Sequence, residues 1–413
     1  MTTHTLQNDA NIENFQNWIP ESTQDFELEH LIKPNKKAYF FCDLHADANA
    51  FLRSLKLSQL IHAQSDLQNI TLTENAKKSQ IIIGGDCFDK GPSNLKLFQL
   101  LAKLRETGID LVLLAGNHDI RVLAGMIALE HTDDMRQVHF IVRMGRKTVA
   151  FFKEVFDYYQ LNLHPCPVTN AQAIEKLTPP QQWFDSFAEF SKNTLNEKQL
   201  AKEFKQIRKK QRDIFDACFE LDMEPKHLYQ AIKFAQQLFI EPAGEFAWFF
   251  QELKLLHRSG NYLFCHAGLD DEIAELFSEL RDPCDELNNV FQQTLMAGKI
   301  FEIYYSSYGN VVRTKYRDKN FAFTRKGAKA LKEQGIYAIV NGHRSHTDGQ
   351  KLYLREGILN FECDTELNQN CRAKRGLNTF GESVTIFSLD GSVNALCNDL
   401  PAPKQFRPSV QSA

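Results

Sequence analysis

No run of 18 consecutive apolar residues occurs in the 413-residue chain, so no segment is long enough to span a bilayer as a helix. The opening residues, MTTHTLQNDANIENFQNWIPES, lack both a basic start and an apolar stretch, and no secretory signal is legible in them. CxxC pairs are missing too: the nine cysteines stand apart at 42, 87, 166, 218, 265, 284, 363, 371 and 397. Such scatter suggests neither a structural zinc site nor a disulfide framework, and a reducing compartment is the simpler expectation. The chain is therefore expected in the cytoplasm. Neither sign of charge dominates, with 48 basic and 52 acidic residues for a net of −4, which argues against a generally nucleic-acid-coating surface. Repeats and low-complexity tracts are absent. With 43% hydrophobic and 24% charged residues, wholesale disorder and fibrous classes are excluded. The length allows roughly two to three domains, or one large α/β unit.

Short apolar runs recur instead, each followed at once by polar residues: AYFFC (38–42), IIIG (81–84), LVLLAG (111–116), YLFC (262–265) and YAIV (337–340). Bounded by Gly or Asp and separated by helical stretches, they read as buried strands of a layered α/β protein. KLYL (351–354), ILNF (358–361) and SVTIF (383–387) alternate better and suggest antiparallel strands. Residues 1–36 read as a loosely attached polar leader. The tail 400–413, with three prolines, reads as disordered. Between 125 and 258 the pattern turns helical and charged. Leu200, Phe204, Ile207, Ile214, Phe215 and Cys218 keep the spacing of one helical face, and 227–239 and 245–257 continue it. This segment is expected to fold as a helical insertion, a cap or hairpin beside a core made of 37–124 and 259–399.

Residues just past the strand-like runs are almost all metal-ligand types. Asp43-Leu44-His45 follows the first, Gly85-Asp86-Cys87-Phe88-Asp89 the second and Gly116-Asn117-His118-Asp119 the third; His266 follows the fourth, and Asn341-Gly342-His343-Arg344-Ser345-His346 the fifth. Ligands gather at the carboxyl ends of strands in open α/β sheets. Carboxylate, imidazole and amide-oxygen donors without thiolate favour Mn, Fe or Zn. Two such ions roughly 3.5–4 Å apart, bridged by one carboxylate, suit an in-line phosphoryl displacement.

These ordered blocks, with Lys90-Gly91 after Asp89 and Ala267-Gly268-Leu269 after His266, resemble the calcineurin-like metallophosphoesterase superfamily. They are closest to its phosphoprotein phosphatase-like branch, including bacterial members with GDxxDRGPxS-, GNHD- and HAG-type blocks. The resemblance covers about 38–125 and 260–390; the insertion and both ends match nothing recognised. It implies a four-layer αββα sandwich, two divalent metal ions with manganese the first choice, and phosphomonoester hydrolysis by direct attack of metal-bound hydroxide. Asp43 and His45 would hold the first metal, Asp86 would bridge, and Asn117, His266 and His343 would hold the second. His118 would act as general acid oriented by Asp89. His346, three residues past His343, is a further candidate for the first metal: related phosphoesterases use a histidine near this place at a different spacing, and the phosphoprotein phosphatases lack it.

Phosphate clamping requires cations. The family's arginine after GDxxD is Lys90 here, which keeps the charge but not the planar fork. Arg317, whose spacing to Phe323 matches the family's phosphate-binding RGxxxxF stretch with Asp318 in place of the glycine, is a second candidate. Arg121 is a third. The implied substrate is phosphorylated protein, at Ser/Thr or Tyr; the alternatives are a dinucleoside polyphosphate or other small phosphorylated molecule, and a metal-binding scaffold with vestigial activity. The basic cluster Lys198, Lys202, Lys205, Arg208, Lys209, Lys210 and Arg212 reads as a solvated face, with a docking surface for an acidic partner as the alternative. Trp183, Phe184, Phe187, Phe190, Trp248, Phe249 and Phe250 read as the insertion's own core, with a lid over the site as the other reading. Cys42, Cys87 and Cys265 read as buried small hydrophobes.

Overall fold

The computed structural model describes residues 15–21, 32–130, 134–193, 195–313 and 323–408. The apolar runs become strands. In chain order these begin β1 (Gln16–Asn17), β2 (Ala38–Phe41), β3 (Gln80–Ile83), β4 (Asp110–Leu114) and β5 (Leu253–Lys254). The next are β6 (Leu256–Ser259), β7 (Tyr262–Cys265), β8 (Ala338–Asn341), β9 (Lys351–Arg355) and β10 (Ile358–Glu362). Last come β11 (Ser383–Phe387), β12 (Val393–Cys397) and β13 (Lys404–Phe406). They form two sheets, ordered β1-β13-β12-β11-β2-β3-β4-β5 and β6-β7-β8-β10-β9. β2 to β5 run parallel, as do β7, β8 and β10; β11 joins β2 antiparallel, and β9 joins β10 antiparallel.

The sheets pack face to face. Phe40, Ile82, Val112 and Leu114 from one meet Tyr262, Phe264, Val340 and Phe361 from the other, all buried. Phe387 closes the layer, its ring centroid 5.3 Å from that of Phe264. Burying each such side chain stabilises the fold by about 1.5–3 kcal/mol. The opposite faces are covered by helices. Phe41 packs edge-on against Phe51 of the helix Ala48–Leu57 at 5.4 Å, and Ile339 packs in the same buried cluster as Ile273 and Phe277 of Asp271–Glu279. The architecture is the four-layer αββα sandwich.

Both ends hold segments that depart from the expectation of a loose leader and a disordered tail. β1 pairs parallel with β13, and β13 pairs with β12. Trp18 and Ile32 are buried in the inter-sheet core, with Trp18 edge-on to Phe361 at 5.4 Å. The buried Trp18 and Ile32 side chains and the β1–β13 backbone pairing together hold these described residues against the core.

The insertion folds as seven α-helices among its described residues, from Phe140–Arg143 to Ala247–Glu252. The longest, Glu197–Glu220, buries Ile207, Ile214, Ala217 and Cys218, the face its spacing indicates. The reading of 245–257 as helical throughout is corrected: the helix ends at Glu252, and β5 and β6 follow. There Leu253 and Lys254 extend the first sheet beside β4, and Leu256–Ser259 starts the second. Edge pairing outweighs the local helical spacing. The insertion also shares one apolar core with the sandwich. Phe88, inside the second ligand block, stacks on Phe250 at 5.9 Å and lies 4.5 Å from Phe98, which lies 4.9 Å from Phe239. Trp183, Phe184 and Phe187 are buried within the insertion, whereas Phe190 is exposed. Of its basic cluster, Arg208 lies over the Phe184 ring at 4.5 Å and Lys210 is half-buried; Lys198, Lys205, Lys209 and Arg212 are exposed. No helix among the described residues is long and apolar enough to cross a membrane.

Candidate metal centre

The five ligand blocks sit at the carboxyl ends of β2, β3, β4, β7 and β8, four of them on loops and the third opening the helix Asn117–Ala128. Three come from one sheet and two from the other, so the site lies where the edges of the sandwich meet. The loops are tightly wound: Asp43, His45, Asp86, Asp89, Lys90 and His343 all have positive φ, between 42° and 69°. Left-handed backbone at non-glycine residues is costly and clusters at functional sites. Two glycines allow the loops to touch. A Cβ on Gly85 (φ +88°) would stand 2.7 Å from the Gly116 nitrogen, and one on Gly116 would stand 2.1 Å from the Asp86 nitrogen.

Two clusters result, sharing Asp86. Donor atoms of Asp43, His45 and Asp86 lie within 4.8 Å of one another, as do those of Asp86, His266 and His343. His45 Nε2 stands 3.8 Å from Asp43 Oδ1 and 3.7 Å from Asp86 Oδ2. His266 Nε2 stands 3.4 Å from Asp86 Oδ1 and 3.3 Å from Asn117 Oδ1. The backbone aims these imidazoles. Nδ1 of His45 meets the Phe88 carbonyl at 3.2 Å and Nδ1 of His266 the Gly84 carbonyl at 2.8 Å. A carbonyl accepts only from a protonated nitrogen, so Nδ1 carries the hydrogen and the Nε2 lone pair faces inward.

The donors fit divalent cations. Asn117 sets its oxygen against His266 Nε2; turned over, its nitrogen would donate to His343 Nδ1 (3.0 Å) and His266 Nε2 (3.3 Å), and its oxygen would accept from Arg121 (3.2 Å). An oxygen facing two imidazole lone pairs is favourable when all three share a cation. All the donors are oxygen or imidazole nitrogen, the set that suits Mn, Fe or Zn.

Charge in the cluster is frustrated. Burial, and then the Asp86 charge, push the Asp43 carboxyl well above the usual carboxylate range, against a 2.8 Å bond from the His343 N–H. Burial also opposes ionisation of Asp86, but His266, His118 and His45 outweigh it and hold that carboxyl well below its ordinary range. Burial and neighbouring His266 bring His343 down to about 3, and burial and Lys90 depress His45. These imidazoles are neutral at pH 7 and available as ligands.

His118 stands beside this centre. Its Nδ1 lies 2.8 Å from Asp89 Oδ2, and its Nε2 lies 3.9 Å from Asp86 Oδ2. Burial lowers its pKa, opposed by Asp86 and Asp89. Among the proposed clamps, Lys90 Nζ lies 2.6 Å from His45 Nε2, against the first cluster, and Arg121 Nη2 lies 3.2 Å from the Asn117 amide. Arg317 lies outside the described residues. His346 is not brought in: its Nε2 bonds Glu362 at 2.8 Å. The His346 N–H meets the Asp364 carbonyl, just past the end of β10. Cys42, Cys87 and Cys265 are buried thiols, with Cys265 pushed up to about 12 by burial.

Two supporting residues were not singled out from sequence. Asp119 is fully buried; its oxygens accept from the backbone N–H groups of Gly116 (2.9 Å), Asp86 (2.9 Å), Cys87 (2.8 Å) and Phe88 (3.3 Å). It caps the helix Asn117–Ala128 and ties two ligand loops together. Its place in the GNHD block was the available signal. Lys210 reaches in from the insertion, donating to the Arg143 carbonyl at 3.0 Å. Nothing local marked it among six other cations.

A loop-borne cluster of carboxylates and imidazoles between two sheets is the arrangement of a metal-dependent phosphoric ester hydrolase. Residues 37–215 match the family model for calcineurin-like phosphoesterases. No curated protein matches it. Among solved structures it is similar to the cold-active protein-tyrosine phosphatase of a psychrophilic Shewanella species, at 15% identity, 96% of this chain, 91% of that one and a TM-score of 0.47. It is also similar to a protein serine/threonine phosphatase from Saccharomyces cerevisiae, at 11% identity, 92% and 82% coverage and a TM-score of 0.39. A third is the phosphatase domain of the Legionella effector WipB, at 12% identity, 70% and 95% coverage and a TM-score of 0.33.

Proposed function

We propose that the chain is a dinuclear-metal phosphomonoesterase whose substrate is phosphorylated protein. The observation that carries the chemistry is the pairing of His118 with Asp89 at 2.8 Å at the edge of two ligand clusters that share Asp86. Asp43, His45 and Asp86 would hold one divalent cation, and Asp86, Asn117, His266 and His343 the other. When bound, the two cations supply Lewis-acid stabilisation of phosphoryl charge and activation of water. Asp89 keeps the proton on His118 Nδ1, which leaves Nε2 to give its proton to the departing oxygen. Lys90 and Arg121 add positive charge at the rim, where the oxygens of a phosphoryl group are held. The protein substrate rests on the order of the blocks, which is that of the phosphoprotein phosphatase-like branch.

The test is turnover of p-nitrophenyl phosphate by the purified chain loaded with Mn²⁺, Fe²⁺ or Zn²⁺, followed by a panel of phosphoserine, phosphothreonine and phosphotyrosine peptides against diadenosine tetraphosphate. Turnover that is highest with manganese, lost in Asp86→Asn and preferring a phosphopeptide is expected. Preference for the dinucleotide would replace the protein substrate with a small molecule. No turnover with any metal would leave a metal-binding scaffold.

A further inference from the structure

The general-acid pair is held by more than its own loop. The helix Arg146–Tyr158, within the insertion, grips the Asp89 loop at two points. Thr148, fully buried in its first turn, places Oγ1 3.2 Å from Asp89 Oδ2, the same oxygen that meets His118 Nδ1. Two turns on, Glu154 caps the next helix of the core, Asn94–Glu106. Its carboxylate accepts from the N–H groups of Asn94 (2.8 Å) and Leu95 (3.2 Å) and from the Ser93 hydroxyl. Asn94 in turn accepts the Asp89 N–H at 3.0 Å. One helix therefore fixes both the carboxylate and the backbone of Asp89.

We infer that Thr148 and Glu154 are positioning residues for proton donation by His118, so that the insertion carries part of the active site. The inference rests on the general-acid reading of His118. The Thr148 hydroxyl has one proton and two acceptors at 3.2 Å, Asp89 Oδ2 and the Met144 carbonyl. The ionised carboxylate is the stronger acceptor. A bond from Thr148 fixes the rotation of a carboxylate whose other oxygen is buried without a partner among the described residues, and with it the tilt of the imidazole. Without it, Asp89 is free to turn and the His118 proton is mis-aimed.

A general acid matters most where the leaving group cannot depart unaided, and this separates aiming from mere stability. The experiment compares kcat/KM for phenyl phosphate and 2,4-dinitrophenyl phosphate in the manganese-loaded full chain, for wild type and for Thr148→Val, Thr148→Ser, Glu154→Gln and His118→Asn. Expected is a fall of about 10-fold on phenyl phosphate in Thr148→Val, less than about 2-fold on the dinitrophenyl ester, and recovery in Thr148→Ser. Glu154→Gln should show the same bias, and Thr148→Ala stands in if the valine variant does not fold. A second readout needs no turnover. In metal-free, ¹⁵N-histidine-labelled protein, the His118 Nδ1–H resonance should move upfield and exchange faster in Thr148→Val and return in Thr148→Ser. Equal losses on both esters, or no loss on either, would overturn the inference while a biased His118→Asn leaves the general acid in place. An unbiased His118→Asn would remove both.

Discussion

The backbone N–H of His343 donates to Asp43 Oδ2 across 2.8 Å, joining residues 300 positions apart in the chain. One stands on the loop after β2 in the first sheet, the other on the loop after β8 in the second. The bond couples the two halves of the candidate centre, and it partly offsets the cost of burying Asp43 beside Asp86.

That cost should be visible when metal binds. Because Asp43 is pushed above the carboxylate range, the metal-free pair retains a proton at a pH where both carboxylates would be ionised in the unfolded chain. A divalent cation displaces it. Titration calorimetry of Mn²⁺ into metal-free protein near pH 6, in buffers of differing ionisation enthalpy, should report release of about one proton. The neutral imidazoles His45 and His343 release none. Zero release would mean that Asp43 is already ionised.

Asp119 should tolerate no amide. Each oxygen serves two N–H groups, Oδ2 those of Gly116 and Asp86, Oδ1 those of Cys87 and Phe88. In Asp119→Asn whichever position becomes NH₂ leaves two buried donors unpaired, at a cost of about 2–4 kcal/mol. Urea denaturation should show that loss, and the variant should bind less manganese.

Gly116→Ala tests the close approach of the loops. The added methyl would stand 2.1 Å from the Asp86 nitrogen and 2.3 Å from its Oδ1, and backbone on one side cannot yield without moving a ligand. A loss of at least about 3 kcal/mol is expected. Gly108→Ala is the control: no atom of the described residues lies within 4 Å of its Cβ, so only its φ of +74° should tell, by about 1 kcal/mol.

Lys210 gives a pH dependence of definite sign. Burial, and then Arg121 and Arg143, bring its ammonium down from 10.5 to about 7. Between those values the unfolded chain binds more protons than the folded one, so this residue's contribution to stability rises with pH across that window. Lys210→Met should therefore be more stable than wild type below pH 7, by about 2–4 kcal/mol. The advantage should shrink as pH rises and vanish near 10.5. Parallel stability curves from pH 6 to 10.5 would show that Lys210 is solvated.

Much of the sandwich was legible because buried strands announce themselves. The runs at 38–42, 81–84, 111–116, 262–265 and 337–340 correspond to β2, β3, β4, β7 and β8. β1 and β5 were not legible. Two-residue strands carry no periodicity, and their pairing partners lie far along the chain. His346 shows the same limit in the site: its chemistry suits a metal, but its backbone bond to Asp364 and its side-chain bond to Glu362, both distant in sequence, hold it elsewhere.

The sequence by itself determined which side chains could ligate and the order in which they follow the strands. Residue type and strand-end position are local properties, written in each block. Tertiary structure alone decided that burial beside Asp86 pushes the Asp43 carboxyl up, and that Thr148, 59 positions from Asp89, reaches its carboxylate. Those outcomes depend on distance and burial between chemically ordinary residues. Such quantities come into being only when the two sheets and the insertion close around one core.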